Sequence, residues 1–207
     1  FGTNDGLNRF DGISFKKYYY TNGDPKSISS NSIRWLLISK DNKMWVSLDN
    51  GVDIYDPNTD SFSHLDAVTA GGEAINRRVL EMMEDKDGDI WIGTQDLGLY
   101  RYSPKSKTLK VYKHIAGDES SLSQNWVTTI FEDAKGVIWI GTYSEGLCAF
   151  SKETETFSRY KKSANSNSLS DNSVQRIYED SFGYLWIGTF KNGLDRFDRD
   201  TGKFINF

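Results

Sequence analysis

The stretch Gly88-Asp-Ile-Trp-Ile-Gly-Thr-Gln-Asp-Leu-Gly-Leu-Tyr-Arg-Tyr102 carries a pattern that recurs along the chain. A tryptophan within an apolar run, followed six or seven residues later by Gly-Leu or Gly-Val, occurs four times. The tryptophans are Trp45, Trp91, Trp139 and Trp186, separated by 46, 48 and 47 residues. Self-similarity at a nearly constant period of this length indicates a repeat architecture, in which each repeat is one small unit of secondary structure.

Four short strands are predicted in each repeat. A β-branched and aromatic run after Leu169-Ser-Asp-Asn-Ser173 predicts the first strand. Asp180-Ser-Phe-Gly183 predicts a hairpin turn, because glycine readily adopts a positive φ. The equivalent turns carry Gly88, Gly136 and Asn42, and asparagine is the next best residue in this conformation.

The second strand, Tyr184-Leu-Trp-Ile-Gly-Thr189, shows no clean alternation of apolar and polar residues. Such a pattern predicts a sheet that is covered on both faces. Its Gly188, like Gly93 and Gly141, predicts a position that a neighbouring indole or backbone approaches closely. The third and fourth strands are predicted at 193–197 and 203–207.

Four-stranded repeats with tryptophan and glycine at fixed places predict an all-β fold, a β-propeller of four-stranded antiparallel blades. Residues 1–10 match the later part of a repeat, so we expect about four and a half blades. These belong either to a larger ring or to chains that complete one another as a homodimer. The expected limits of this single propeller fragment, 1–207, are a partial repeat at 1–20, repeat 1 at 28–66, repeat 2 at 75–113, repeat 3 at 122–161 and repeat 4 at 169–207.

Composition narrows the classes of function. The net charge of −4, with acids and bases interspersed, argues against nucleic acid as a partner of this region. No apolar run approaches the roughly 18 residues of a membrane helix, so we expect no membrane contact by this region. Cys148 lies on a predicted buried strand without a basic neighbour, which favours packing over a reactive thiol. No cofactor is expected. No metal site is expected either, because Asp85-Lys-Asp-Gly-Asp89 lacks the ligand spacing and terminal glutamate of an EF-hand.

The string Glu-Asp-x-x-Gly-x-Ile/Leu-Trp-Ile-Gly-Thr-x-x-x-Gly-Leu resembles the two-component regulator propeller repeat. The resemblance is close over 79–112, 127–160 and 174–207, and looser over 1–18 and 33–65. It implies the periplasmic sensor region of a hybrid two-component system histidine kinase. Such proteins combine two propellers, a small β-sandwich and one membrane helix with cytoplasmic kinase, receiver and DNA-binding parts.

The same resemblance implies a function in signal transduction. The region would be a non-enzymatic sensor domain for oligosaccharides released from complex glycans. Its implied partners are an oligosaccharide, the remaining propeller blades and the downstream sensor domains of the parent protein. Its implied location is periplasmic, as the extracytoplasmic part of an inner-membrane protein.

Chain direction separates two ends of each blade. The loops between second and third strands, and those joining repeats, lie at one end, and they vary more than the turns at the other end. The 66–78 loop departs most from its counterparts. Sugar recognition uses aromatic faces beside amide, carboxylate and guanidinium groups, although an ordinary solvated role stays open for each such residue. The candidate ligand-binding residues are Arg77, Arg78, Gln95, Asp96, Trp126, Tyr143, Glu145, Phe190 and Asn192.

The four repeated tryptophans, in contrast, are predicted core residues, because every repeat places one at the equivalent position. Two other functions stay open, although no catalytic residue is predicted. A propeller lyase or glycosidase needs clustered histidines or paired carboxylates, and the chain has only His64 and His114, near the ends of outer strands. A structural or protein-interaction propeller without a small-molecule ligand would use the same loops as a protein interface.

Overall fold

A computed structural model describes residues 1–207, and all of its regular elements are β-strands. The strands are β1 (Leu7–Phe10), β2 (Phe15–Tyr18), β3 (Ile33–Ile38), β4 (Met44–Leu48), β5 (Gly51–Asp56), β6 (Ser61–His64), β7 (Val79–Glu84), β8 (Ile90–Thr94), β9 (Leu99–Ser103), β10 (Thr108–Tyr112), β11 (Val127–Glu132), β12 (Ile138–Thr142), β13 (Leu147–Ser151), β14 (Thr156–Tyr160), β15 (Val174–Glu179), β16 (Leu185–Thr189), β17 (Leu194–Asp198) and β18 (Lys203–Asn206).

The strands form four sheets of four strands and one sheet of two strands. Strands β3 to β6, β7 to β10, β11 to β14 and β15 to β18 each form one sheet in chain order, and β1 pairs with β2. This is the predicted all-β propeller architecture, with one four-stranded sheet per full repeat. By compactness the chain divides into a first unit, residues 1–92 with 100–110, and a second unit, residues 93–99 with 111–207.

The first strand of a repeat carries a bulge near its start. In repeat 1, Ile33 pairs with Leu48 and Trp35 pairs with Ser47, so that Arg34 is the extra residue. Thr128 and Gln175 hold the same position in repeats 3 and 4. A bulge re-aims the side chain at the extra position, because that residue has no partner across the ladder.

We call the end of each repeat that carries the hairpin between first and second strands the turn end. The predicted left-handed conformation is confirmed at these hairpins: φ is 60° at Asn42, 88° at Gly88, 83° at Gly136 and 84° at Gly183. An aspartate begins the turn in repeats 2, 3 and 4. In repeat 4, Oδ1 of Asp180 accepts hydrogen bonds from the N–H groups of Phe182 and Tyr184, and Oδ2 accepts one from the indole of Trp186 at 2.7 Å.

The same aspartate–indole bond measures 2.8 Å from Trp91 to Asp85 and 2.9 Å from Trp139 to Asp133.

The Glu that precedes this Asp links neighbouring repeats. Oε2 of Glu84 accepts the N–H of Lys40 at 2.6 Å in the first unit, and Oε2 of Glu179 accepts that of Ala134 at 2.6 Å in the second unit. The Glu-Asp pair therefore ties a turn to its own strand and to the preceding turn.

The repeated tryptophans differ in burial. Trp45, Trp91 and Trp139 are buried. Trp186 is half-buried, with the Phe207 ring centroid 5.4 Å from its own and the Arg196 guanidinium 6.0 Å from its ring. The fourth tryptophan is therefore less enclosed than the other three.

Two of the second-strand glycines, Gly93 and Gly141, make room for a valine side chain. The sequence had predicted an indole or a backbone segment at these positions. A Cβ on Gly93 would lie 2.7 Å from Cγ1 of Val127, and one on Gly141 would lie 2.7 Å from Cγ1 of Val174. At Gly188 the closest atom would be Cβ of Arg176, at 3.8 Å. Val127 and Val174, which begin the first strands of repeats 3 and 4, therefore pack closely against the second strand of the preceding repeat.

Candidate ligand-binding surface at the loop end

The loop end of each repeat is the end that carries the loop between second and third strands. A threonine closes this loop. Oγ1 of Thr142 donates to the carbonyl of Gly146 at 2.8 Å and accepts the N–H of Glu145 at 3.2 Å. Thr94 and Thr189 make the equivalent pairs of bonds in repeats 2 and 4. The Gly-Thr pair of the repeat thus holds the loop in one conformation, whatever side chains the loop carries.

The segment before each first strand, which we call the lead-in segment, is anchored by asparagine. The carbonyl of Asn125 accepts the N–H of Gly98 at 3.0 Å, and its Oδ1 accepts the N–H of His114 at 2.7 Å. The same two bonds recur at Asn31 and Asn172. The backbone of the loop end is therefore regular, and differences between repeats lie in the side chains it displays.

The most developed aromatic feature at a loop end is in repeat 3. Trp126 and Tyr143 stack with ring centroids 4.2 Å apart and an interplanar angle of 14°. Tyr143 is 48% exposed, and its N–H donates to the carbonyl of Trp126 at 3.1 Å. Gln124 and Ser144 bridge the same two segments through reciprocal bonds of 2.9 Å. The stack is thereby held in place while the outer face of Tyr143 stays accessible.

Repeat 4 adds an exposed aromatic residue at the same end. The N–H of Phe190 donates to the carbonyl of Ser173 at 2.9 Å, the counterpart of the Tyr143 bond, and its ring is 69% exposed. Thr128, the second residue of β11, donates to the carbonyl of Val174, the first residue of β15, so the loop ends of repeats 3 and 4 adjoin. Tyr143 and Phe190 thus belong to one surface.

Other predicted residues prove to be engaged in holding the loops. Nδ2 of Asn192 donates to the carbonyl of Ser170 at 2.6 Å, so this amide anchors the lead-in segment of repeat 4. Oε2 of Glu145 lies 2.6 Å from Nζ of Lys161, and both side chains are about two-fifths exposed. In repeat 2, Gln95 is half-buried and Asp96 is exposed.

In the first unit, a cluster of charges occupies the loop end of repeat 1 and the start of repeat 2. Oδ1 of Asp49 accepts Nε–H of Arg34 at 3.2 Å and Nε–H of Arg78 at 2.7 Å. Burial raises the pKa of Asp49, but hydrogen bonds from Ser32 and Arg34 and the charges of both arginines outweigh it, so the pKa lies below its usual value. The neighbouring Arg77 is exposed.

Sequence reasoning selected Arg78 and Arg77 but missed Arg34 and Asp49 as site residues. Arg34 occupies the bulge of β3, which is defined by the register between β3 and β4, so the sequence offered no signal for it. Gln124 was missed too, because its pairing with Ser144 depends on the fold.

Both histidines serve the lead-in segments. Nδ1 of His64 lies 2.7 Å from Oδ1 of Asp53, a buried carboxylate that also accepts the N–H and the hydroxyl of Ser29 at 2.7 and 2.9 Å. Nδ1 of His114 lies 3.0 Å from the carbonyl oxygen of Leu122. These contacts give each histidine a structural function. Cys148 is buried beside Ser123, and burial raises the pKa of its thiol.

Two cavities lie away from the loop ends. One of about 380 Å³ is mostly apolar and is lined by residues including Leu7, Phe10, Leu36, Met44 and Tyr55. The other, of about 310 Å³, lies at the turn end of repeat 4 around Arg199. No candidate residue lines either cavity. In the second unit, Tyr143 and Phe190 lie on an open surface, which suits an extended ligand more than an enclosed small molecule.

Three segments match the family described as two component regulator propeller, at 74–96, 121–144 and 168–191. These are two-component regulator propeller repeats. The matched segments run from the lead-in segment through the first two strands into the loop, so they include Arg77, Arg78, Trp126, Tyr143 and Phe190. A comparison with curated protein sequences finds no match, and no helix in the structure could cross a membrane.

Solved structures carry the same propeller architecture. One is the extracellular domain of a protein described as a hybrid two component system, BT3049 from B. thetaiotaomicron, with 27% identity and a TM-score of 0.64 over 93% of this chain and 31% of that one. PorZ from Porphyromonas gingivalis, a component of the type-IX secretion system, has 17% identity and a TM-score of 0.72 over 99% of this chain and 31% of that one.

A third similar structure, the virginiamycin B lyase from Staphylococcus aureus, has 13% identity and a TM-score of 0.67 over 100% of this chain and 64% of that one. The likeness to PorZ and to the lyase shows the fold alone, because identity is low and unrelated functions share propellers. The chain spans about a third of the length of the first two structures.

Proposed function

We propose that this chain is a ligand-sensing propeller domain in the extracytoplasmic part of a hybrid two-component sensor, and that its ligand is an oligosaccharide derived from a glycan. The propeller repeats and the likeness to the BT3049 extracellular domain support the sensor assignment. A periplasmic location follows from that assignment.

The observation that carries the ligand class is the Trp126–Tyr143 stack. Flat aromatic rings bind the apolar C–H faces of sugar rings, and a ring held in place loses little conformational freedom on binding. Gln124 and Ser144 hold the two segments and offer an amide and a hydroxyl at the edge of the stack. Phe190 extends the aromatic surface onto repeat 4.

Binding without turnover is the expected behaviour. General acid–base chemistry at a glycosidic bond needs two carboxyl groups placed on either side of it. At the loop end of repeat 3, Glu145 is paired with Lys161, and His114 bonds the backbone of Leu122. These groups are arranged to hold loops, which supports a binding surface more than a lyase or glycosidase site.

The test is calorimetric titration of the intact protein with oligosaccharides that represent each main glycan class, beside a turnover assay. We expect saturable binding of at least one class without product formation. Tyr143→Ala should weaken that binding about tenfold or more, as expected for an aromatic hot spot. Phe182→Ala, which removes an 85% exposed aromatic at the turn end of repeat 4, is the matched control and should bind normally.

A protein-interaction propeller makes the opposite prediction. If the Trp126–Tyr143 surface binds protein, the double variant Trp126→Ala/Tyr143→Ala changes the solution mass measured by light scattering, and no glycan class binds. That pair of results would refute the proposed sensor for oligosaccharides.

A further inference from the structure

Two guanidinium groups in the first unit converge on one carboxylate. Arg34 and Arg78 each use Nε–H to contact the same oxygen of Asp49, and the three side chains are 36%, 41% and 31% exposed. Their terminal amino groups make no hydrogen bond within the protein. The two arginines and Asp49 together therefore carry a net charge of +1. The four terminal amino groups of the arginines are available to a ligand.

The fold, and not chance exposure, brings these arginines together. Arg34 is the bulged residue of β3, and Arg78 immediately precedes β7. Strands β3 and β7 pack against each other in the first unit, so the loop end of repeat 1 meets the lead-in segment of repeat 2. Asp49 stays ionised over the ordinary pH range and holds both Nε edges, which leaves the outer edge of each guanidinium available to solvent.

Two other arginines, Arg159 and Arg199, behave differently. Nη2 of Arg159 donates to the carbonyls of Asp118, Ser121 and Leu122, so that side chain is consumed in holding a lead-in segment. Arg199 uses its terminal nitrogens to contact Asp133 and Glu179. Arg159 and Arg199 thus bond their terminal amino groups within the protein.

We propose that Arg34 and Arg78 form an oxyanion subsite, which binds a carboxylate or sulfate substituent of an oligosaccharide ligand. Planar guanidinium forks match such groups, and paired forks bind them more strongly than a single cation does. This proposal rests on the proposed function and narrows it, because the ligand would be an acidic glycan fragment, a uronate or a sulfated sugar.

The subsite itself can be tested without any glycan. Sodium sulfate is titrated into ¹⁵N-labelled protein against sodium chloride of equal ionic strength, with the arginine Nε–Hε resonances as the readout. We expect saturable shifts at Arg34 and Arg78 with sulfate only, and no shift at Arg159. Shifts that are equal in the two salts, or absent at Arg34 and Arg78, would overturn the proposal.

Glycan titrations then identify the substituent. Neutral, uronate-containing and sulfated oligosaccharides of equal length are compared for wild type, Arg34→Gln, Arg78→Gln and the control Lys17→Gln, which removes one exposed cation from β2. Each arginine variant should weaken binding of the preferred acidic class by roughly tenfold to a hundredfold, as for hydrogen bonds between charged groups. Neutral sugars should be affected little, and Lys17→Gln should match wild type.

The two proposals fail in different ways. If neutral and acidic oligosaccharides bind equally well and the arginine variants are silent, the oxyanion subsite is wrong while the sensor for oligosaccharides stands. If sulfate shifts Arg34 and Arg78 but no oligosaccharide binds, the anion site is real and the proposed glycan ligand is wrong. If both arginine variants still prefer acidic oligosaccharides as strongly as wild type does, the acidic group binds elsewhere on the protein and the proposed subsite is wrong.

Discussion

At the turn end of repeat 3, Asp133 is buried and bonded to Trp139, Val137 and Arg199, whereas at the loop end of the same repeat Tyr143 projects into solvent. The turn end repeats its side-chain contacts from one blade to the next. The loop end repeats only the contacts by which threonine and asparagine hold its backbone, and its displayed side chains differ. Repeated side-chain contacts at the turn end thus form the structural frame of the blades. At the loop end the backbone conformation is constant, so the exposed side chains can differ between repeats.

The largest effect that separates the two ends should come from Asp133→Ala. This change removes a hydrogen-bond partner from the Trp139 indole and one of the two carboxylates that contact the largely buried Arg199 guanidinium. We expect a loss of about 3–5 kcal/mol in unfolding free energy, measured by chemical denaturation. Asp200→Ala, at an exposed turn position of repeat 4, is the control and should change stability little. A loss below about 1 kcal/mol for Asp133→Ala would contradict the structural function of the turn end.

A pair of glycine substitutions should sharpen the same contrast between packed frame and open surface. Gly141→Ala places a methyl group 2.6 Å from Thr129 and 2.7 Å from Val174, so blade packing must shift, and we expect a loss of about 1–3 kcal/mol. Gly188→Ala, in the equivalent strand of repeat 4, meets its first atom at 3.8 Å and should be nearly neutral. Thermal and chemical denaturation of both variants would check this, and equal effects would show that the glycines are not packing sites.

The pH dependence of stability provides a smaller effect. Burial raises the pKa of Asp133, but hydrogen bonds from Trp139, Val137 and Arg199 outweigh burial and hold the pKa below its usual value. A depressed carboxyl pKa stabilises the fold above the unfolded pKa, near 4, and the contribution is lost as pH falls through the folded value. The stability difference between wild type and Asp133→Asn should therefore be largest at neutral pH and should narrow in acid. A difference independent of pH would exclude the ionised carboxylate as its cause.

The smallest effect on stability is expected at the loop end. Tyr143→Ala removes one stacking partner at a surface position, so unfolding free energy should fall by less than about 1 kcal/mol. The same variant should weaken oligosaccharide binding about tenfold or more, as described above. A large destabilisation would assign Tyr143 to the frame and would remove the main support for a binding surface.

Much of the frame could be predicted because it depends on local chemistry. Asn42 substitutes for glycine in the turn of repeat 1 because both residues tolerate a positive φ, and this holds whatever surrounds the turn. The partners of Gly93 and Gly141 were not predicted correctly, because a valine more than thirty residues away in sequence fills the space over each of them. The glycine itself predicted that another group would approach closely. The sequence did not predict that this group would be a valine side chain.

The amino-acid sequence alone determined the repeat period, the four-stranded blades and the residue types displayed in the variable loops, because period, turn chemistry and composition are properties of short segments. Only the tertiary structure decided which displayed groups cooperate. It stacked Trp126 on Tyr143, used the amide of Asn192 to hold a loop, and brought Arg34 of repeat 1 and Arg78 of repeat 2 to a single carboxylate. Those groupings depend on the register of bulged strands and on the packing of one blade against the next, which no single segment of sequence specifies.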